Sequence, residues 1–259
     1  MSDFTDIRTD VSGPVLTITV NRPEAGNKLR PQTLLELKEA LQRLRTEPSL
    51  RAAVLTGAGD KFFCIGGEHD ETTSLDYSQV LPILDVYEAI DTVTKPVVAA
   101  VNGFAVGGGN VLHTVCDLSI AAEHAVFRQV GPMVGSFDAG YGTWYLEDTI
   151  GRKRAKEMWY LNRKYSADEA LKMGLVNEVV PSGQVVDRAQ EVAAEIATRS
   201  PMAVGALKAA FSARHHGVGG QARMAHDQQL TLYLTTREAH EVADAFAEKR
   251  KPDEESFWS

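Results

Sequence analysis

The first regular pattern in the chain is the alternation of Val15–Val20, VLTITV, which predicts a strand ended by Asn21-Arg22-Pro23. Beyond it, Leu34, Leu35, Leu37, Leu41 and Leu44 recur at helical spacing behind Pro31, a residue suited to a first helical turn. Ala52–Thr56 reads as a short buried strand followed by the loop Gly57–Asp60, and Phe62–Gly67, FFCIGG, is an apolar run ending in glycines. A polar stretch from Glu68 to Ser78 leads into a helix that runs to about Thr92. Val97–Asn110, VVAAVNGFAVGGGN, reads as one strand entering the glycines Gly107, Gly108 and Gly109, with a helix following over Val111 to Val115. Leu118–Ala121 and Val126–Phe127 are further short strands.

Strands alternating with helices imply an α/β fold of parallel βαβ units with right-handed crossovers. From about Tyr141 the character changes and helical patterns dominate: Trp144–Ile150, Arg152–Leu161, Ala167–Met173, Gln184–Thr198, Pro201–Ala213, Gly220–Leu234 and Arg237–Lys249. Leu175–Val180 interrupts them as a strand. The pattern divides the chain into an α/β core over 1–190 and a helical C-terminal region over 191–259, which covers the core or a neighbouring subunit. Trp144, Tyr145, Trp159 and Tyr160 are expected in the helical core, and His113 is expected to be a structural histidine on an apolar helix face.

Two junctions join an apolar strand to glycines, at Ile65-Gly66-Gly67 and at Val106–Gly109. A strand that ends in glycines and turns into a helix leaves backbone N–H groups free at the helix N-terminus, where they favour negative charge. Two such junctions brought together would form a two-donor oxyanion hole, and spacing does not show that they converge. A tight turn that binds nothing fits the same residues. The segment Phe127–Gly142, FRQVGPMVGSFDAGYG, is too rich in glycine for a regular helix or strand and presents Ser136 and Asp138. These two side chains suit a helix N-cap as well as they suit chemistry.

Composition narrows the partners. The 259 residues carry a net charge of −8, which argues against nucleic acid. Two cysteines, Cys64 and Cys116, form no disulfide framework and no metal-ligand spacing. The acidic N-terminal stretch lacks the apolar core of a signal peptide, and no run approaches the roughly 20 apolar residues of a membrane span. A soluble cytoplasmic protein is expected.

Five blocks in order resemble the crotonase (enoyl-CoA hydratase/isomerase) superfamily: NRPEAGN at Asn21–Asn27, LTGAGDKFFCIGG at Leu55–Gly67, KPVVAAVNGFAVGGG at Lys95–Gly109, CDLSIAAEHAVF at Cys116–Phe127 and EALKMGLVNEVVP at Glu169–Pro181. The resemblance implies the crotonase (ClpP-like) α/β fold, a spiral of ββα repeats, assembled as homotrimers or hexamers that bind acyl-CoA. It also implies an oxyanion hole for the thioester oxygen from the backbone N–H groups of Gly67 and Gly108. Arg30, Ile65, Gly66 and Lys249 fall on the CoA side.

Within the superfamily, the hydratases' two catalytic glutamates fall here on Val111 and Gly131, neither of which can act as acid or base. The loop VGPMVGSFDAGYG instead resembles 1,4-dihydroxy-2-naphthoyl-CoA synthases and 2-ketocyclohexanecarboxyl-CoA hydrolases. That resemblance implies roles for Ser136, Asp138 and Tyr233 at a second carbonyl. In some of these synthases a bound bicarbonate is the α-proton base, and Gly131 marks its place here. Ring closure, ring-opening hydrolysis and a silent CoA-binding scaffold stand as the readings, in that order. The synthases' usual GGDQ is GGEH here, Gly66–His69, and the stretch from His69 to Thr94 is shorter than theirs, which opens the acyl group to question.

Overall fold

The computed structural model describes residues 4–68, 83–133, 140–223 and 235–258. They fall into two compact units, Met1–Val204 and Gly205–Ser259.

In the first unit, β1 (Ile7–Ser12) turns at Gly13 and pairs antiparallel with β2 (Val15–Val20). From β2 onward the large sheet is parallel, in the order β1-β2-β3-β5-β7-β10, with β3 Ala52–Gly57, β5 Val97–Val101, β7 Leu118–Ala122 and β10 Glu178–Val180. Alternate side chains serve two cores. Leu16, Ile18, Leu55, Ala99 and Val101 join the core that also holds α1 (Pro31–Thr46), α2 (Ile83–Thr92) and α3 (Gly108–Val115). Val15, Val54, Val98 and Ile120 meet Val185, Ala189 and Ala193 of α7 (Val185–Ala197) on the other face. The polar positions of VLTITV therefore do not mark a solvent face: Thr17 is buried and accepts a hydrogen bond from Gln190 Nε2 on α7 at 2.9 Å.

A second sheet, β4-β6-β8-β9, holds β4 Phe62–Cys64, β6 Phe104–Val106, β8 Val126–Arg128 and β9 Tyr165–Ser166. The simple βαβ reading is corrected here. Consecutive strand pairs, β3 with β4, β5 with β6 and β7 with β8, each place one strand in the large sheet and one in the small sheet, which is the ββα repeat of the crotonase fold. The run read as one strand from Val97 is broken at Asn102-Gly103. The Asn102 amide donates to the Gly57 and Gly59 carbonyls at 2.8 and 2.7 Å, and a Cβ at Gly103 would stand 2.2 Å from the Lys61 oxygen. A polar side chain turned inward and a backbone crossing end the strand where hydrophobicity alone would have continued it.

Further helices are α4 Tyr141–Ile150, α5 Arg152–Leu161, α6 Ala167–Met173 and α8 Pro201–Arg223. On α4 and α5 the aromatic expectation is half corrected. Trp159 is buried and donates its indole N–H to the Gly142 carbonyl at 3.0 Å, whereas Trp144 and Tyr160 are exposed. Neighbours on a helix point about 100° apart, so one residue of each aromatic pair turns outward.

Most of α8 lies in the second unit and is interrupted at Gly217, with φ 53° and ψ −128°. The last helix, α9 (Arg237–Ala247), is followed by a tail pinned to Glu241 through Arg250 and the Asp253 N–H. No helix among the described residues is long and apolar enough to cross a membrane.

Candidate active site

The first glycine junction is held from the N-terminus of the chain. The Glu36 carboxylate on α1, buried, accepts the backbone N–H groups of Thr5, Asp6 and Ile7 at 2.8–3.0 Å and the Gln32 amide at 2.8 Å. Burial alone would raise its pKa, but the donors from Gln32, Thr5 and Asp6 together lower it. Asp6, also buried, is held below the usual carboxylate range by the Arg30 guanidinium, which forks onto it at 2.7 and 2.6 Å, with the Thr33 hydroxyl as a further donor.

Asn27, wholly buried at φ 52°, donates its amide to the Ala58 and Phe62 carbonyls and so joins the NRPEAGN turn to β4. Next to it, the Leu29 N–H donates to Gly66 O and the Glu68 N–H donates to Leu29 O, both at 2.9 Å. In a parallel bridge the flanking peptides face the partner strand, so Gly67 turns its own N–H the other way. Among the described residues that N–H has no backbone acceptor.

At the second junction each glycine answers a different demand. Gly107 adopts φ 57° and ψ −123°, which L-residues rarely reach, and donates its N–H to Arg128 O at 2.9 Å. A Cβ on Gly109 would come within 1.9 Å of the Cys64 carbonyl oxygen, so α3 starts in backbone contact with the end of β4. Gly108 opens α3 and faces Gly66: a Cβ on Gly66, itself at φ 94°, would stand 3.2 Å from the Gly108 nitrogen. The two junctions that spacing could not bring together do converge. The Gly108 N–H, an unpaired first-turn donor of α3, has no backbone acceptor among the described residues.

Among the described residues, neither position that the resemblance assigns to a hydratase glutamate carries an acid or base. Val111 is buried on α3, and Gly131 is buried at the start of a short 3-10 turn, Gly131–Met133. His113 is wholly enclosed, its Nδ1 3.2 Å from Ser119 Oγ and its Nε2 3.1 Å from Asn110 Oδ1. Burial pushes its pKa down to about 3, so it is a neutral, hydrogen-bonded core residue, as its helix face predicts. Burial likewise pushes the Cys64 thiol up to about 12.

Of the other residues singled out in the sequence, Ser136, Asp138, Tyr233 and His69 lie outside the described residues. Ile65 packs under the Gly26 turn, its Cδ1 2.5 Å from where a Gly26 Cβ would be. Arg30 is engaged by Asp6, and Lys249 is exposed at φ 56° just beyond α9.

Two residues near the glycines escape sequence reasoning. Tyr87 on α2 is wholly buried and donates its hydroxyl to Gly108 O at 3.2 Å, although its helical pattern marks only a core tyrosine. Gln129 directly follows β8 between Arg128 and Val130, both of which meet Gly107, and it is buried with no partner for either amide atom among the described residues. Its one signal is a polar residue at a strand end inside an apolar and glycine-rich run. A buried amide without partners marks a place built for a further polar group. Among the described residues no cluster of three metal-ligating side chains occurs.

Residues 10–256 match the family model described as enoyl-CoA hydratase/isomerase. The chain is similar to enoyl-CoA hydratase from Bacillus anthracis, at 34% identity over 96% of this chain and 98% of that one, with a TM-score of 0.77. It is similar to an enoyl-CoA hydratase subunit from Geobacillus kaustophilus HTA426, at 30% identity over 97% and 98% of the two chains and a TM-score of 0.77. Pseudomonas aeruginosa DspI aligns over 97% and 98%, at 28% identity and a TM-score of 0.79. With converging glycine junctions inside a ββα spiral and a family match along nearly its whole length, the chain belongs to the enoyl-CoA hydratase/isomerase family.

Proposed function

We propose that this protein acts on an acyl-CoA through a thioester enolate and forms a carbon–carbon bond by Claisen- or Dieckmann-type ring closure, in the manner of the naphthoyl-CoA synthases. The observation that carries the reading is the close approach of Gly66 to Gly108, in a chain that has Val111 and Gly131 where the resemblance places the hydratases' two glutamates. If the Gly67 and Gly108 N–H groups meet at one point, they lower the cost of charge on a thioester oxygen, most where the charge develops. Simple hydration needs an acid and a base at the double bond, and valine and glycine supply neither.

In this reading Gly67 and Gly108 hold the thioester oxyanion, Asp138 moves a proton at the second carbonyl, and Ser136 and Tyr233 donate hydrogen bonds to that oxygen. What supports a bicarbonate near Gly131 is the buried Gln129 amide two residues before it, which has no partner among the described residues and offers both a donor and an acceptor. When bound, bicarbonate supplies a base for the α-proton. Gln129 and the Gly131 turn would hold it. Lys249 remains a candidate for the CoA phosphates, whereas Arg30 meets them already neutralised by Asp6. The homotrimer or homohexamer usual in the superfamily and a cytoplasmic location belong to the same proposal.

Incubation with o-succinylbenzoyl-CoA, 2-ketocyclohexanecarboxyl-CoA and crotonyl-CoA, each followed by mass spectrometry, tests it. Loss of water from the first is the expected result. Gain of water by the second points to the ring-opening hydrolase instead, and efficient hydration of crotonyl-CoA overturns the carbon–carbon bond reading. Tight CoA binding with turnover of none is the result expected of a silent scaffold.

A further inference from the structure

We infer that Tyr87 is a positioning residue for the Gly108 oxyanion donor, acting through the first turn of α3; the inference rests on the acyl-CoA reading above. The peptide that carries the Gly108 N–H lies between two glycines, whose backbone torsions are the least restrained of any residue. Its orientation is set by what holds its own carbonyl, Gly107 O, and the peptides on either side. On one side the Gly107 N–H is fixed on Arg128 O at 2.9 Å, and Gly107 O accepts from Val111 N–H at 3.1 Å. On the other side the Tyr87 hydroxyl donates to Gly108 O at 3.2 Å and lies 3.3 Å from where a Gly108 Cβ would be. Tyr87 therefore closes the clamp from α2, the helix that follows residues 69–82.

The phenol is itself held. Its ring meets that of Tyr141 with centroids 5.8 Å apart, and Tyr141 stacks on Tyr145 at 5.5 Å and 21°. Tyr145 stays protonated because burial, and then the Asp91 carboxylate beside it, raise its pKa. Asp91 and Tyr87 lie one helical turn apart on α2, and both are buried. The ladder Tyr87–Tyr141–Tyr145 thus ties α2 to α4, the helix that begins just after residues 134–139. Helices α2 and α4 are thereby fastened to each other and to the donor glycine.

The test compares the wild type with Tyr87→Phe, which keeps the ring and removes the hydroxyl. Bound 4-(dimethylamino)cinnamoyl-CoA reports polarisation of its thioester carbonyl as a red shift of its absorbance. The wild type should shift it, and Tyr87→Phe should lose at least about half of that shift, while kcat falls about tenfold and KM changes little. Hydrogen exchange followed by mass spectrometry should show faster exchange confined to residues 106–113 in the variant. An unchanged red shift, or a change in exchange spread over the whole domain, overturns the positioning role. A wild type that binds no acyl-CoA and shifts no probe instead removes the acyl-CoA reading, and this inference with it.

Discussion

Gly66 and Gly108, 42 positions apart in sequence, meet so closely that a methyl group on the first would stand 3.2 Å from the nitrogen of the second. Gly66 also sits at φ 94°, where a side chain is strained whatever room it has. Gly66→Ala should therefore push the two donor peptides apart. Turnover is expected to fall about a hundredfold or more, the scale of losing one oxyanion donor. A steady-state assay beside a thermal melt separates this from unfolding.

Neighbouring glycines should respond very differently. Gly67 has nothing within 4 Å of its Cβ position among the described residues, so Gly67→Ala should change stability by less than about 1 kcal/mol. Gly109→Ala would force a methyl to 1.9 Å from the Cys64 carbonyl, and strand and helix must separate. A loss of about 3 kcal/mol or more is expected, or failure to fold, and urea unfolding of both variants checks the contrast.

The carboxylates under the N-terminal strand set the acid limit. Both Asp6 and Glu36 have folded pKa values below their ordinary 3.8 and 4.5. Their contribution is present above those ordinary values and is lost as pH falls through the lower folded ones. The urea midpoint should drop steeply below about pH 4, and Glu36→Gln should flatten that limb. At neutral pH the same variant should be less stable by about 2–4 kcal/mol, since an amide replaces a buried acceptor of several donors.

His113 acts at a different pH. Its folded pKa of about 3 lies below the ordinary 6.5, so the unfolded chain takes up a proton that the folded chain refuses. Stability must therefore decline as pH falls below 6.5, until about 3. In a histidine NMR titration its ring resonances should stay fixed between about pH 5 and 8.

Both cysteines are buried, and the Cys64 thiol titrates near 12. The native protein should resist a thiol reagent at pH 8 and release two equivalents only in denaturant, matching the two cysteines of the chain. Rapid native labelling of one thiol would contradict the burial described here.

Asp138→Asn tests the chemistry proposed beyond the glycines. Turnover should fall by a factor of about 10² to 10⁴, the usual worth of a positioned proton-transfer group, while CoA affinity stays within a fewfold. Near-normal activity would end its assigned role.

What the sequence determined by itself is local. Pro31 does open a helix, VLTITV is a strand, and the glycine-terminated runs mark both junctions, because periodicity and backbone torsions act over a few residues. The block NRPEAGN was readable as a family mark, yet its work, the Asn27 amide reaching Ala58 and Phe62, was not. Long-range apposition decided the remainder. Asn102 ends a strand through carbonyls some 45 residues away, and Tyr87 acquires a place at the site only when α2 is laid beside α3. Gln129 looks like any strand-end amide until burial removes water from both of its polar atoms. Gly67 and Gly108 follow the same rule: glycine licenses a close approach, but only the packing of two sheets and the helices over them decides what approaches.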